Sequence, residues 1–303
     1  MTLPALLLVA CTASVSPSVS PTPTPSPTPE PTIAREPPPP IVLAAGDIAA
    51  CDSTGDELTA ELLDTLEGLV LTLGDNIYPD GTATEFADCY DPSWGRHLAR
   101  TYPSAGNHDY QTEAAAAYFA YFGTAAGTPG EAWYSYGVGS WHVVVLNSNC
   151  EEVGGCGPDS PQTAWLLADL AAHAESACTL AYWHHPRWSS GEQHGSDPRT
   201  DTLWRTLYAA GADLVLTAHD HLYERFVPMD AEGNTAGPGM VEFVVGTGGR
   251  SLYEFGTALP TSAVRDHSTY GVLKLTLHPD RYDWEFVAAS DTGFADAGSA
   301  ACR

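Results

Sequence analysis

From residue 41 onward, short apolar runs alternate with stretches whose apolar positions recur at helical spacing, the pattern of strands alternating with helices. IVLAA (41–45) precedes DELTAELLDTLEG (56–68), read as a helix, and LVLTL (69–73) follows it. WHVVVLN (141–147) precedes PQTAWLLADLAAHAE (161–175), a helix whose start is marked by Ser160 as cap and Pro161 in the first turn. CTLAYW (178–183), the helix DTLWRTLYAAG (201–211) and DLVLTA (213–218) repeat the unit, which predicts an α/β domain. The last third changes character: MVEFVVGTGG, YGVLKLTLHPD and RYDWEFVAAS read as consecutive strands of a second, more antiparallel sheet.

The first 40 residues do not share this pattern. TASVSPSVSPTPTPSPTPEPTIAREPPPP is rich in Ser, Thr and Pro and has little to bury, so residues 12–40 read as a disordered linker and 41–303 as the folded domain. Residues 1–11, MTLPALLLVAC, look like a bacterial lipoprotein signal with Cys11 as the acylated residue, although no Lys or Arg precedes Cys11. The run is too short to span a bilayer, so any membrane attachment is expected only through a lipid on Cys11. Beyond Cys11 the chain has six further cysteines and no CxxC, which disfavours a thiolate zinc site and favours three disulfides in an oxidising compartment. Fifteen pairings are open; Cys51–Cys89, Cys150–Cys156 and Cys178–Cys302 are expected. The location expected is therefore extracytoplasmic, secreted or anchored at the cell surface.

The formal net charge of −26, with 12 Lys and Arg in all, excludes a nucleic-acid-binding surface, because backbone phosphates need basic partners. It describes a self-repelling soluble protein and leaves carboxylates available for hard cations.

Five apolar runs are each followed by a residue able to bind metal: Asp47 after IVLAAG, Asp75 after LVLTLG, Asn107 and His108 after TYPSAG, His184 after TLAYW, His219 and His221 after DLVLTA. A lone Asp at a strand end is more often a turn former or helix cap, and a lone His a satisfied structural residue. Five strands delivering such residues to one rim reverse that weighting, because the carboxyl edge of an open α/β sheet is where ligands bind.

Through GD (46–47), GDNIY (74–78), GNHD (106–109), WHHP (183–186) and AHDH (218–221), the chain resembles the calcineurin-like binuclear metallophosphoesterases, and within them the purple acid phosphatase branch. The resemblance runs over roughly residues 41 to 290, with Ala218 in place of the usual glycine. It implies a four-layer α-β-β-α sandwich of two mixed sheets flanked by helices, with the metal site at the carboxyl ends of the strands. It assigns Asp47, Asp75, Tyr78 and His221 to metal 1 and Asp75, Asn107, His184 and His219 to metal 2, with Asp75 bridging. It selects His184 over His185, which becomes a residue facing the substrate or supporting a ligand. It places Fe(III) at metal 1, since a phenolate from Tyr78 demands a strongly Lewis-acidic ion, and Fe(II), Zn(II) or Mn(II) at metal 2.

The reaction so implied is hydrolysis of a small phosphate monoester by a hydroxide held at the binuclear centre. His108, oriented by Asp109, would supply or orient the leaving-group proton, and His194 and His185 would face the substrate. Arg225 reads as an anchor through ion pairs and GTGG (246–249) as a turn near the site, since no helix pattern follows it. His219 and His221, two apart on an extended segment, are expected to face one side, with Asp220 pointing away. Two rival readings remain open at this stage: a phosphodiesterase or nucleotidase using two divalent ions, and a tethered, non-catalytic binding module.

Overall fold

The computed structural model describes residues 1–2, 8–18, 38–291 and 293–303. The chain divides into Met1–Pro37 and Pro38–Arg303. In the first unit the described residues are exposed and lack regular structure; most of the expected linker, and residues 3–7 of the expected signal, lie outside the described residues. Cys11 is exposed and outside any disulfide. Among the described residues no helix is long and apolar enough to cross a membrane.

The second unit is built on two large mixed sheets. One runs in the order Ala297–Ala301, Arg281–Ala288, Gly271–Leu277, Ile41–Ala45, Leu69–Leu73, Thr101–Ser104, with the last three parallel to one another. The other runs Ser262–Asp266, Tyr223–Phe226, Val241–Val245, Leu214–Thr217, Cys178–Tyr182, Trp141–Val145, Tyr134–Val138, parallel through its four central strands. Strand alternation divides the side chains: Val143, Val145, Leu180 and Leu216 join the core that also holds Val42, Leu71 and Leu273. Val144, Ala181 and Val215 face the opposite way, against Leu166 and Leu170 of helix Pro161–Ala172 and Leu203 and Leu207 of helix Asp201–Ala209. Helix Gly55–Thr65 contributes Ala60 and Leu63 to the first core. The mixed α/β architecture of two sheets flanked by helices is the one the sequence predicts.

The Ser160 cap forms as expected, its hydroxyl accepting from the Thr163 N–H at 3.2 Å, with Pro161 opening the helix. The three disulfides are Cys51–Cys89, Cys150–Cys156 and Cys178–Cys302. One expectation is corrected. The C-terminal third does not make its own sheet: Val241–Val245 lies parallel to Leu214–Thr217 in the second sheet, whereas Gly271–Leu277 pairs antiparallel with Ile41–Ala45 in the first. Each strand extends a sheet begun much earlier in the chain, burying apolar faces that a separate sheet would leave without a partner layer.

Candidate metal centre

The parallel strands end in loops that converge across the two sheets. The Gly46 N–H donates to Val245 O at 2.9 Å, bridging the sheets at the first loop, and the Asp47 and Ile48 N–H groups donate to Gly74 O (3.1 Å) and Asp75 O (3.0 Å). Ala218 N–H donates to His184 O at 2.9 Å. Asp47, Asp75 and His219 all sit in the left-handed region, at φ of 58°, 48° and 69°. Three non-glycine residues in that conformation at one rim are strained, and such strain gathers where side chains must be aimed. Glycine is required beside them: a side chain on Gly246 would meet Asp47 Oδ2 at 2.6 Å, and one on Gly106 would collide with the Asp75 carboxylate. Ala218 lies outside the left-handed region, so alanine costs nothing there in backbone strain.

The two carboxylates are cross-braced. Asp47 Oδ2 accepts the His219 N–H at 2.8 Å and Asp75 Oδ1 accepts the His108 N–H at 2.8 Å, which leaves Asp47 Oδ1 and Asp75 Oδ2 facing inward. Around them lie two sets of donor atoms. Tyr78 OH is 2.7 Å from Asp47 Oδ1, 2.9 Å from Asp75 Oδ2 and 3.1 Å from His221 Nε2. His184 Nε2 is 3.2 Å from Asp75 Oδ2 and 3.1 Å from His219 Nδ1. Asp75 Oδ2 is common to both sets. Asn107 Oδ1, the remaining expected donor, is buried with no hydrogen-bond partner.

The tautomers are fixed from outside. His184 Nδ1 donates to Leu73 O at 2.8 Å and His221 Nδ1 to Ser251 O at 2.7 Å, turning both Nε2 lone pairs inward. One phenol proton cannot satisfy two carboxylate oxygens at once, and burial, then Asp47 and Asp75, push the Tyr78 phenol well up. Burial opposes ionisation of Asp75, yet His184, with His108 and His219, holds it below the usual carboxylate range. Burial likewise opposes charge on His184, and Asp75 pushes it up to about 9. Clustered carboxylates, inward lone pairs, an unpartnered amide oxygen and a phenol crowded by anions together fit a pair of cations.

Several residues stand differently from the sequence reading. Asp109 does not touch His108: it accepts from Gly106 N at 2.8 Å and Asn76 Nδ2 at 3.0 Å, fastening the GNHD loop to the GDNIY loop. His108 is instead oriented by Pro79 O, 2.6 Å from its Nδ1, and its ring lies 4.3 Å from that of Tyr78. Residues 218–222 are not extended: the Asp220 N–H reaches Ala218 O at 2.8 Å and the Leu222 N–H reaches Asp220 O at 2.7 Å. These two tight turns, with His219 left-handed, turn both histidines inward. Asp220 points away, accepting from Ser189 Oγ (2.6 Å) and the Gly195 N–H (2.9 Å). That bracing carries exposed His194, whose ring stacks on His219 at 4.0 Å. His185 is buried, its Nδ1 held by Ser148 Oγ at 2.7 Å, and groups with His184 and His219. Arg225 forms a two-pronged pair with Asp296 at 2.7 and 3.0 Å, and Arg187 pairs with Asp201.

The sequence reading missed the wall made by the segment after GTGG. Arg250 N–H donates to Asp47 O at 2.8 Å and its guanidinium lies 5.3 Å from the Tyr78 ring centre; Tyr253 stacks on His221 at 3.9 Å. Only the adjacency of this segment to the GTGG turn, itself read as near the site, could have flagged it.

A family model described as calcineurin-like phosphoesterase matches residues 32–223. Purple acid phosphatase 15 of Arabidopsis thaliana is 27% identical over 244 residues, covering 69% of this chain and 44% of that protein. Two solved structures share the fold: the purple acid phosphatase PPD1 of yellow lupin, at 19% identity and TM-score 0.69 over 86% of this chain and 53% of that one, and Plasmodium GAP50, described as an inner-membrane-complex anchor, at 15% and 0.67 over 88% and 90%. The chain thus spans less than half of the Arabidopsis relative and about half of the lupin protein.

Proposed function

The chain belongs to the calcineurin-like phosphoesterase family, and from that premise we propose that it is an exported, metal-dependent phosphatase acting on phosphate monoesters. The observation that carries this reading is the pair of donor sets sharing Asp75 Oδ2. Asp47, Asp75, Tyr78 and His221 would hold Fe(III), and Asp75, Asn107, His184 and His219 a divalent iron, zinc or manganese ion. Such a pair, when bound, supplies an activated water and neutralises phosphate charge.

The chain's own residues do the rest. His108 beside Tyr78 and His194 beside His219 are each fixed by a neighbour, Pro79 O and the His219 ring, so each can present a ring nitrogen to a phosphate oxygen or the departing alcohol. Hydrolysis forms a bond from phosphorus to the water oxygen, breaks that to the ester oxygen and moves a proton from water to the alcohol; His108 is the group assigned to that proton. Tyr253, stacked on His221, and Arg250, beside the Tyr78 ring, form one wall of the cluster. The three disulfides support folding in an oxidising compartment, and exposed Cys11 is available for a lipid.

Metal analysis with a visible spectrum of the purified, active protein tests the proposal. Iron with a phenolate charge-transfer band, alongside hydrolysis of p-nitrophenyl phosphate, is expected. Colourless, iron-free protein with full activity would remove Fe(III) and Tyr78 from the assignment.

A further inference from the structure

A cavity of about 320 Å³ adjoins the donor cluster. Asn107, His185 and His219 line it on the side of the cluster, and Glu151, Glu152 and Arg199 are among the residues completing it. On the phosphatase reading above, a phosphate held at the cluster has its ester group beside this space. We propose that the cavity receives the alcohol part of the substrate and that its charge selects small polar alcohols that are neutral or cationic over anionic ones.

The volume sets the size. At about 30 Å³ per water, the cavity has the space of about ten waters, which suits an alcohol of a few carbons.

The walls are preformed. Ser148 Oγ receives the His185 N–H at 2.9 Å and contacts His185 Nδ1 at 2.7 Å, so that ring is held in place and its other nitrogen is turned away from Ser148. Asn149 Nδ2 donates to Ala105 O at 3.1 Å, tying this segment to the residue just before the GNHD loop. The acidic pair rides on a closed turn: Cys150–Cys156 bridges it, Gly155 N–H donates to Cys150 O at 2.7 Å and Glu152 N–H to Asn149 O at 3.0 Å. The turn holds both glutamates at the cavity with little freedom of backbone.

The charges around the cavity do not cancel. Arg199 is bound by its neighbour Asp197, with Nε at 2.9 and 3.1 Å and a terminal nitrogen at 2.6 Å from the carboxylate. Its charge is therefore already matched. Glu151 and Glu152 are exposed, and neither makes an ion pair among the described residues, although Glu151 acts on the Arg199 charge from a distance. One guanidinium set against Asp197, Glu151 and Glu152 leaves this rim net negative. At the high effective dielectric of an exposed site, such a charge at a few ångströms is expected to give about a tenfold preference.

The test uses the metal-loaded, disulfide-intact protein and substrates of similar size: phosphoethanolamine, glycerol 2-phosphate and 3-phosphoglycerate, with p-nitrophenyl phosphate as reference. At low ionic strength kcat/KM is expected to fall in that order, with about tenfold or more between the first and third. Glu151→Gln/Glu152→Gln should bring that ratio within about twofold, and Glu151→Lys should tilt it toward 3-phosphoglycerate. Hydrolysis of p-nitrophenyl phosphate with no charge preference, or a preference that survives the double substitution, overturns the selection while leaving the phosphatase reading intact. A preference for the anion that disappears in Arg199→Gln overturns it in favour of an anion-binding role for Arg199. No hydrolysis of any substrate by the loaded wild type removes the phosphatase reading itself.

Discussion

At the scale of single residues the centre is defined by which oxygen of each carboxylate is left free. Backbone N–H groups from His219 and His108 occupy one oxygen of Asp47 and of Asp75, each N–H coming from a different loop than the carboxylate it holds. Asp75→Ala should therefore remove both metals and reduce turnover to background, measured by metal content after gel filtration and by phosphate release. His185→Ala should keep both metals and lose less activity, because its ring is held by Ser148 outside the shared carboxylate. Equal, mild losses in both would refute the division of roles. Tyr78→Phe removes the oxygen that meets Asp47, Asp75 and His221, and is expected to abolish the visible band while the chain stays folded by circular dichroism. Asp47, Asp75, His184, His219 and His221 stood out as candidates because each follows an apolar run, whereas Tyr78 was singled out only by the family resemblance. Their orientation was not: that Pro79 O rather than Asp109 fixes His108, and that His219 is left-handed, depends on contacts across loops 29 or more residues apart.

At the scale of elements, the loop from Arg187 to Gly195 shows how the molecule steadies a segment without regular structure. Three buried carboxylates receive it: Glu242 accepts the Arg187 and Trp188 N–H groups at 3.1 Å, Glu224 the Ser190 N–H at 2.7 Å, and Asp220 the Gly195 N–H at 2.9 Å. These acids come from strands Val241–Val245 and Tyr223–Phe226 and the turn between the histidines. Sequence pattern showed the strands but not the service of their inward polar residues, since a buried glutamate in an apolar run looks like a break in it. Burial pushes Glu242 up to about 8, against the hydrogen bonds from Thr217, Trp188 and Arg187 that favour the ionised form. The folded chain thus keeps a proton that an unfolded glutamate, at 4.5, releases. That contribution to stability is complete below the unfolded value and is lost as pH rises through the folded one. Between pH 5 and 8.5 the wild type should lose stability relative to Glu242→Gln, by up to about 1.4 kcal/mol per pH unit of separation, measured by urea unfolding. Parallel pH dependences for the two proteins would show that Glu242 is ionised throughout.

At the scale of the whole molecule, the architecture joins distant pieces of chain, and this is where the sequence was least transparent. Strand Gly271–Leu277 finds its place beside Ile41–Ala45, whereas the Cys178–Cys302 bond, at a separation of 124 residues, is one the sequence reading expected. Apolar periodicity identifies both strands, yet nothing local chooses between a neighbour in sequence and one more than two hundred residues earlier. The net charge is a whole-molecule property too, legible from composition and consequential for catalysis. At −26, the protein repels anions beyond the reach of its metal centre, so a phosphate ester must approach against the field. Added salt screens that repulsion over a Debye length of about 8–10 Å near physiological ionic strength. Hence kcat/KM for p-nitrophenyl phosphate should rise between low salt and about 150 mM sodium chloride, with kcat changing less, because encounter rather than chemistry feels the long-range field. The rise should be steeper for 3-phosphoglycerate, which carries a carboxylate as well into the same field, and shallower for phosphoethanolamine, whose ammonium offsets part of its phosphate. A fall in kcat/KM with salt for the dianion would mean that the positive charge of the loaded centre, and not the acidic surface, governs approach; the acidic exterior would then serve solubility alone.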